Sequence, residues 1–395
     1  MKQRKIAYIS YTFLTDCDLP LLHELSKEAQ VDYYLLVTNT FRQGTLIDLT
    51  LKEKGGIYSG TAYPELNHLG QWIDLDRVYI VDIPADHNWQ WMNFRVSWQL
   101  KCQLKKKNYD LIHLTWPLSY NSFSLYQLRK KMVITMHDPL PHSSQITLRN
   151  RFQHYWCMKL TPDFILLNKT QRGEFIKEYA VDESRVHQSR LSIYTHLQNS
   201  ATVPPLCHHP YILFIGSIMP HKGVEYLCEA MEPITTDMPD MHVVIAGKGN
   251  YYFDTSRYKD NPNYLFINRY ISNEELVSLI TNSTAVVCPY IDATQSGVIM
   301  SAFALDKPVI ATNVGALPEM MEDGRHGFLV PPKDSKALEK AIRHVIQPGI
   351  ARQMSENIAY DYSQGNRSWH AIATEMLEIY DSILNKRKCT DNQAL

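Results

Sequence analysis

The sequence predicts an α/β chain built as two parallel-sheet domains joined by one linker, and three observations carry that prediction. Short apolar runs rich in β-branched residues alternate with helical patterns along the chain, as in βαβ units whose sheet is covered on both faces. The alternation breaks across Leu197–Pro210, where Pro204, Pro205 and the run His208-His209-Pro210 stop the periodicity, and then it restarts. At 395 residues the chain is long for one domain and sufficient for two hydrophobic cores.

In chain order, Lys5–Ser10 reads as a strand, Leu19–Ala29 as a helix with Leu21, Leu22 and Leu25 on one side, and Val31–Val37 as a second strand. Arg77–Ile83 is a strand, Trp89–Lys107 a helix, Asp110–Leu114 a strand, Ser122–Lys131 a helix and Met132–Met136 a strand. Asp163–Leu167 and Lys169–Tyr179 follow as strand and helix. Beyond the linker, Tyr211–Ile215, Met241–Ala246, Tyr264–Ile267, Ala285–Cys288 and Pro308–Thr312 read as strands. The helices between and after them are Val224–Met231, Ser272–Ile280, Val298–Leu305, Ser335–Ile346 and Ser368–Leu384. Ser272-Asn273-Glu274-Glu275 has the form of a capping box.

Composition excludes several classes. Forty basic and 41 acidic residues nearly cancel, so no broad polyanion-binding face and no nucleic-acid partner is expected. Seven cysteines occur singly, without CxxC spacing, which suits a reducing compartment and a cytoplasmic location. The start, MKQRKIAYIS, is basic and then apolar. Ser10, Thr12, Thr15 and Asp16 interrupt it, so it reads as a first strand rather than a signal peptide. No uninterrupted apolar stretch approaches the roughly 20 residues that cross a bilayer. The aromatic, basic helix with Trp89, Trp91, Phe94, Trp98 and Lys105–Lys107 reads as core packing with a solvated end, and a peripheral contact at the inner membrane face is the minority reading.

One stretch, Pro289–Gly324, organises the second half. A strand stopped by Pro289 leads through Thr294-Gln295-Ser296-Gly297 into an apolar helix, then a buried strand, then the turn Asn313-Val314-Gly315. A Ser-Gly turn opening a helix leaves backbone N–H groups without intrahelical partners, under the positive end of the helix dipole. Such a place can hold a phosphate, although Ser-Gly more often only caps a helix.

The whole string says more. ATQSG, then KPVIAT, VGALPE, DGRHG and LVPP, resembles the donor-binding segment of glycosyltransferase family 4, in the branch with an ATQSG donor loop. The resemblance is dense in the C-terminal half and patchy in the N-terminal half. It implies a GT-B fold, with two Rossmann-like domains facing across a cleft and a C-terminal helix crossing back to the first domain. The expected division is 1–200 for an acceptor-binding domain, 201–365 for a nucleotide-sugar donor domain, and 366–395 for the returning helix and a polar tail. The implied activity is transfer of a hexose-type sugar from a nucleotide diphosphate to a glycan or lipid-linked saccharide. The family implies retention of configuration, with neither metal nor cofactor beyond the donor itself.

Site residues follow from the same resemblance. Gly216 and Ser217 begin a loop in which relatives place an arginine and a lysine on the donor phosphates. The lysine is kept as Lys222, and Ser217 stands for the arginine. Gln295, Ser296, Gly297 and Val298 join Lys222 as phosphate-binding candidates. Gly247, Lys248, Arg269, Tyr270 and Ile271, in loops after two further strands, border the nucleotide, together with Ser301. In the first half, the string His137-Asp138-Pro139 with Pro141-His142 resembles the family segment that faces the sugar or the acceptor hydroxyl. His137 and Asp138 are therefore the catalytic candidates: an isolated histidine is more often structural, but this one ends a strand with Asp138 beside it.

The departures matter as much. Many relatives carry a pair of glutamates across the organising loop, and those places hold Ala293 and Ser301. The loss leaves ribose recognition open, and with it two alternatives: a nucleotide-sugar epimerase on the same fold, or a non-catalytic nucleotide-binding homologue. Asp16-Cys17-Asp18 and Asp74-Leu75-Asp76 match the DxD pattern of a different glycosyltransferase fold, and His208-His209 lacks ligand-spaced partners, so no metal is expected. Thr12, Thr15 and Asp16, in the first loop, are candidates for acceptor contact.

Overall fold

The computed structural model describes residues 3–39, 42–50, 55–83, 91–117, 120–137, 139 and 155–393. The chain divides into two compact units, Met1–Leu191 with Trp369–Leu395, and Ser192–Ser368. The division falls at Leu191, ahead of the proline-rich segment, because Ile193 and Leu197 are buried in the core of the second unit.

The first unit carries an eight-stranded sheet. Its strands are β1 (Lys5–Tyr11), β2 (Gln30–Thr38), β3 (Gly56–Ser59), β4 (Val78–Ile83), β5 (Leu111–Leu114), β6 (Met132–Met136), β7 (Asp163–Leu166) and β8 (Val186–Gln188). The order is β3-β4-β2-β1-β5-β6-β7-β8. All pairings are parallel except β3 with β4. Central strands such as β1 and β6 are apolar nearly throughout because both faces are covered. Helix α1 (Thr15–Glu28) buries Leu21, Leu22 and Leu25, the residues its periodicity marks. Helix α2 (Trp91–Lys107) buries Val96, Leu100 and Leu104, spaced one turn apart, while Trp91 and Trp98 stay on the exposed side. The Lys101 ammonium lies 3.2 Å from the centre of the Trp98 ring. Trp89, expected in this helix, lies outside the described residues. Residues 122–131, expected as an α-helix, wind instead as 3-10 turns within Tyr120–Lys131.

In the second unit the strands are β9 (Tyr211–Ile215), β10 (His242–Ala246), β11 (Tyr264–Ile267), β12 (Ala285–Cys288), β13 (Val309–Thr312) and β14 (Gly327–Val330). They pair in parallel in the order β11-β10-β9-β12-β13-β14. This is the doubly wound order of dinucleotide-binding sheets, whose direction of winding reverses between the first strand and the fourth, here β9 and β12. Among the helices, α4 (Val224–Asp237) follows β9, and α3 (Arg172–Tyr179) precedes it in the first unit. Helix α5 (Asn273–Asn282) begins with the expected capping box. The Ser272 hydroxyl accepts the Glu275 N–H, and the Glu275 carboxylate accepts the Ser272 N–H. Helices α6 (Gly297–Ala304), α7 (Ser335–Val345) and α8 (Ile350–Ser363) complete the unit. Neither β14 nor α8 was legible in the sequence, since the strand has only four residues and contains a glycine.

Helix α9 (Trp369–Gln393) belongs to the first unit although it follows the second in sequence. It packs on α1 and buries Ile372, Met376, Tyr380 and Ile383. Ionic contacts tie it down along its length. Arg190 reaches Glu375 at 2.5 Å, Arg4 donates from Nε to Asp381 at 2.6 Å, and Arg387 reaches Asp163 at 2.7 Å. Among the described residues no helix is long and apolar enough to cross a membrane.

The DGRHG segment proves to be a structural joint. Gly327 has φ +145°, and a Cβ there would meet the Val309 carbonyl oxygen at 1.8 Å, so the β13–β14 pairing requires glycine. Beside it, the Glu322 N–H donates to His326 Nδ1 at 3.1 Å, which leaves His326 Nε2–H to donate to Asp361 at 2.7 Å. Gly327→Ala is expected to lower unfolding stability by about 3 kcal/mol. Urea denaturation of the purified variant checks this, and an unchanged midpoint would contradict it.

Candidate functional site

Doubly wound sheets bind ligands beyond the carboxyl ends of their strands, where the winding reverses. In the second unit that point lies between β9 and β12, and the loops leaving these two strands are fastened to each other. The Ile291 N–H donates to the His221 carbonyl at 2.8 Å. Gly223, with φ +63°, lies so close under Pro289 that a Cβ would come 2.0 Å from its carbonyl oxygen. On the other side of β9, Gly247 (φ +145°) lies against Gly216, with 1.8 Å between a built Cβ and the Gly216 oxygen. Gly216 in turn faces Val298 at the start of α6, the Val298 methyl lying 3.9 Å from its built Cβ. Four predicted site residues, Gly216, Gly247, Val298 and Lys222, are therefore brought to one end of the sheet.

Helix α6 starts at Gly297 with Ser296 as its N-cap. The Ser296 hydroxyl accepts the Ile299 N–H at 3.4 Å and donates to the Tyr290 hydroxyl at 3.5 Å. The N–H groups of Gly297 and Val298 open the helix and have no intrahelical carbonyl to meet. Gln295 precedes the cap, half-buried. Gly297 is exposed, and a Cβ there would stand 3.1 Å from the Tyr194 hydroxyl, so a second aromatic residue borders the helix start. The Asn313–Gly315 turn does approach this loop. Gly315 (φ +51°) lies 1.6 Å, measured from a built Cβ, from the Ala293 carbonyl oxygen.

Lys222 is half-buried, on the loop that follows β9. Its ammonium lies 3.7 Å from the centre of the Tyr290 ring. Burial lowers its pKa from the ordinary lysine value, and the neighbouring Cys288 opposes that shift. Among the described residues no carboxylate pairs with it. Ser217, at the place where relatives carry arginine, is exposed. Ser301, at a lost glutamate position, is buried and donates its hydroxyl to the Gly297 carbonyl at 2.9 Å.

The remaining nucleotide candidates border an open groove of about 580 Å³ lined by Lys248, Gly249, Asn250, Asn268, Arg269 and Tyr270. The Asn268 side chain clamps Gly249 through both amide atoms, accepting at 3.1 Å and donating at 2.9 Å. Tyr270 is 77% exposed and presents a free ring face, and Ile271 beside it is half-buried. Arg269 is committed to Glu275 through two bonds of 2.7 and 2.6 Å, which hold the Glu275 carboxyl down to about 2.

In the first unit, His137 follows β6 and lines a cavity of about 20 Å³, room for about one water, with Tyr8, Asp18, Thr135, Arg190 and Met376 among its walls. Burial pushes the His137 imidazole down to about 4. Asp138 and His142 lie outside the described residues. The first loop is packed inward: Thr15 donates to the Thr12 carbonyl at 2.8 Å, and burial raises Asp16 to about 6. Asp18 accepts from Tyr8 at 2.9 Å and Tyr33 at 3.2 Å, and burial raises it to about 7. It is 1% exposed. Sequence reasoning missed Tyr290, Tyr194 and Arg190, and it named Asp18 only within a DxD pattern that it set aside. Only Tyr290 left a signal, as an aromatic residue directly after the proline that ends β12.

Because His137 is held neutral, it binds no proton in the folded chain where an unfolded histidine would. Its contribution to stability is therefore full above about 6.5 and is lost as pH falls from about 6.5 towards about 4. The His137 ring proton followed by NMR is expected to titrate near 4. A midpoint near the ordinary histidine value would show that the imidazole is not sequestered.

Residues 209–348 match the family described as Glycosyl transferases group 1. The chain is 29% identical over 154 residues to an alpha-D-kanosaminyltransferase of Streptomyces kanamyceticus, a match covering 38% of this chain and 40% of that one. The matches to it and to the three curated relatives that follow it span 40% to 62% of those proteins' own lengths. Among solved structures, a glycosyltransferase from Rickettsia africae superposes with a TM-score of 0.63 at 16% identity, covering 97% of this chain and 99% of that one. Anabaena HepE in complex with UDP-glucose superposes with a TM-score of 0.60 at 14% identity, covering 96% of this chain and 99% of its own. Two parallel-sheet units, the doubly wound order and these likenesses agree: the fold is GT-B, and residues 209–348 of its second unit match the group 1 glycosyltransferase family.

Proposed function

We propose that the chain transfers a hexose-type sugar from a nucleotide diphosphate sugar to a hydroxyl of a glycan or lipid-linked saccharide. The observation that carries this reading is the meeting of one unpaired ammonium, Lys222, with the open start of α6 at the winding reversal of the second unit. Glycosyl transfer builds negative charge on a departing diphosphate, and cations or aimed N–H donors stabilise that charge. Lys222 supplies a point charge, while Gly297 and Val298 supply the donors. Tyr270 offers a ring face for a nucleotide base across the groove beside β10 and β11.

His137, kept neutral, takes the role of a hydrogen-bond partner for a sugar or acceptor hydroxyl, and Asp138 stands beside it in sequence. Retention of anomeric configuration, independence of metal and cofactors, a cytoplasmic site of action and contact with the inner membrane face rest on the family resemblance. A second reading has its own support. With Ala293 and Ser301 at the glutamate positions, and the Ser301 hydroxyl turned to the Gly297 carbonyl, the chain has the form expected of a binding protein without turnover.

Thermal melting with UDP, GDP, ADP and TDP is expected to show stabilisation by one of them, and turnover of the matching sugar donor in the presence of EDTA separates enzyme from binding protein. Lys222→Ala is expected to weaken binding of that diphosphate by about 1.5–3 kcal/mol while leaving its nucleoside unaffected. Calorimetric titration of both ligands decides it. Equal diphosphate affinity in variant and wild type removes Lys222 from the phosphate site.

A further inference from the structure

We propose that Tyr290 is a positioning residue for the phosphate site, coupled to Lys222 by holding its ammonium on the ring face, with the hydroxyl contact to the Ser296 cap of α6 a minor one. The inference rests on the nucleotide-sugar reading above for its ligand, and on geometry alone for the coupling.

Tyr290 is 1% exposed and immediately follows the proline that ends β12. Its backbone is anchored, because Thr312 Oγ1 donates to the Tyr290 carbonyl at 2.6 Å from the neighbouring strand. Its ring lies 3.7 Å under the Lys222 ammonium. Its hydroxyl meets Ser296 Oγ at 3.5 Å, and that same oxygen caps α6 by accepting the Ile299 N–H. Cys288 lies against the same hydroxyls, and burial pushes its thiol up to about 11, which keeps it a neutral neighbour.

The loops on either side are pinned independently. The His221 carbonyl accepts the Ile291 N–H at 2.8 Å, and Gly223 fits under the Pro289 carbonyl. Lys222 thus leaves its backbone with little choice of direction, and the ring receives it. An ammonium on an aromatic face gains attraction without forming an ion pair, so its charge stays available to a ligand. A carboxylate in place of the ring would neutralise it. In this chain Ser217 occupies the place where relatives carry a second cation, so the direction of the remaining one matters more.

The test compares Tyr290→Phe, Tyr290→Leu, Lys222→Ala and the double variant Tyr290→Leu/Lys222→Ala. Each is titrated with whichever of UDP, GDP, ADP and TDP stabilises the wild type most, and with the corresponding nucleoside. Tyr290→Leu is expected to lose about tenfold in diphosphate affinity with nucleoside affinity unchanged, and Tyr290→Phe to stay within about threefold of wild type. The double variant is expected to bind no more weakly than Lys222→Ala, since the ring acts through the lysine. Wild-type diphosphate affinity in Tyr290→Leu, equal losses for nucleoside and diphosphate, or additive losses in the double variant each overturn the proposal.

A ligand-free measurement covers failure of Tyr290→Leu to fold. In wild-type protein with 13C-labelled lysine, the ε-methylene signal assigned by Lys222→Ala is expected upfield of the other lysines, from the ring current. An unshifted signal overturns the proposal. If the wild type binds none of the four diphosphates, the nucleotide-sugar reading falls, while the lysine signal still decides the coupling.

Discussion

The second unit depends on the side-by-side placement of β9 and β12. Parallel pairing of these strands sends both of their following loops out of the same end of the sheet, where the winding reverses. Two contacts then convert proximity into a fixed arrangement: the Ile291 N–H on the His221 carbonyl, and Gly223 beneath the Pro289 carbonyl. The glycines of this region answer to backbone packing first. Gly223, Gly247 and Gly315 each sit where a Cβ would fall within 2.0 Å of a carbonyl oxygen. Their φ values of +63°, +145° and +51° add a second reason, since other residues adopt them only with strain.

In the first unit burial drives several ionisable groups towards their neutral forms, His137 falling to about 4, His113 to about 3 and Asp18 rising to about 7, while the buried Asp32 and Asp163 are paired with cations. His113 bonds Tyr380 of α9 at 2.5 Å and Thr135 at 2.7 Å, so the neutral network ties the C-terminal helix to the sheet. Neutral partners avoid the desolvation cost of a buried charge. In the second unit Lys222 is lowered by burial and rests on a ring rather than on a carboxylate.

At the two positions where the resemblance implies glutamate, the side chains and backbone turn to local partners. Ala293 presents its carbonyl to Gly315, and Ser301 turns its hydroxyl back to Gly297. Both positions are absorbed by contacts within the loop and helix. Polar contact at this end of the sheet is carried instead by Ser296, Tyr290 and Lys222, which lie within one connected set.

Much of this was legible from the sequence. The strand and helix order, the capping box at Ser272 and the Ser-Gly helix start all follow from local rules, because hydrophobic period, caps and turn residues act over a few neighbours, whereas the candidate Lys222 came from the family resemblance. The family resemblance of the organising stretch supplied the fold and the chemistry. Short or glycine-bearing elements such as β3 and β14 left no such period, and the antiparallel pairing of β3 with β4 has no local signal. Tertiary structure alone decided which side chains meet. No local pattern shows that Arg269 makes two bonds to Glu275, or that Asp18 accepts from Tyr8 and Tyr33. Tyr290 reads as one more strand-end aromatic until the ammonium of a residue far away in sequence lies on its face. Such meetings depend on strand order and loop packing, which couple distant residues through space, and no local pattern encodes them.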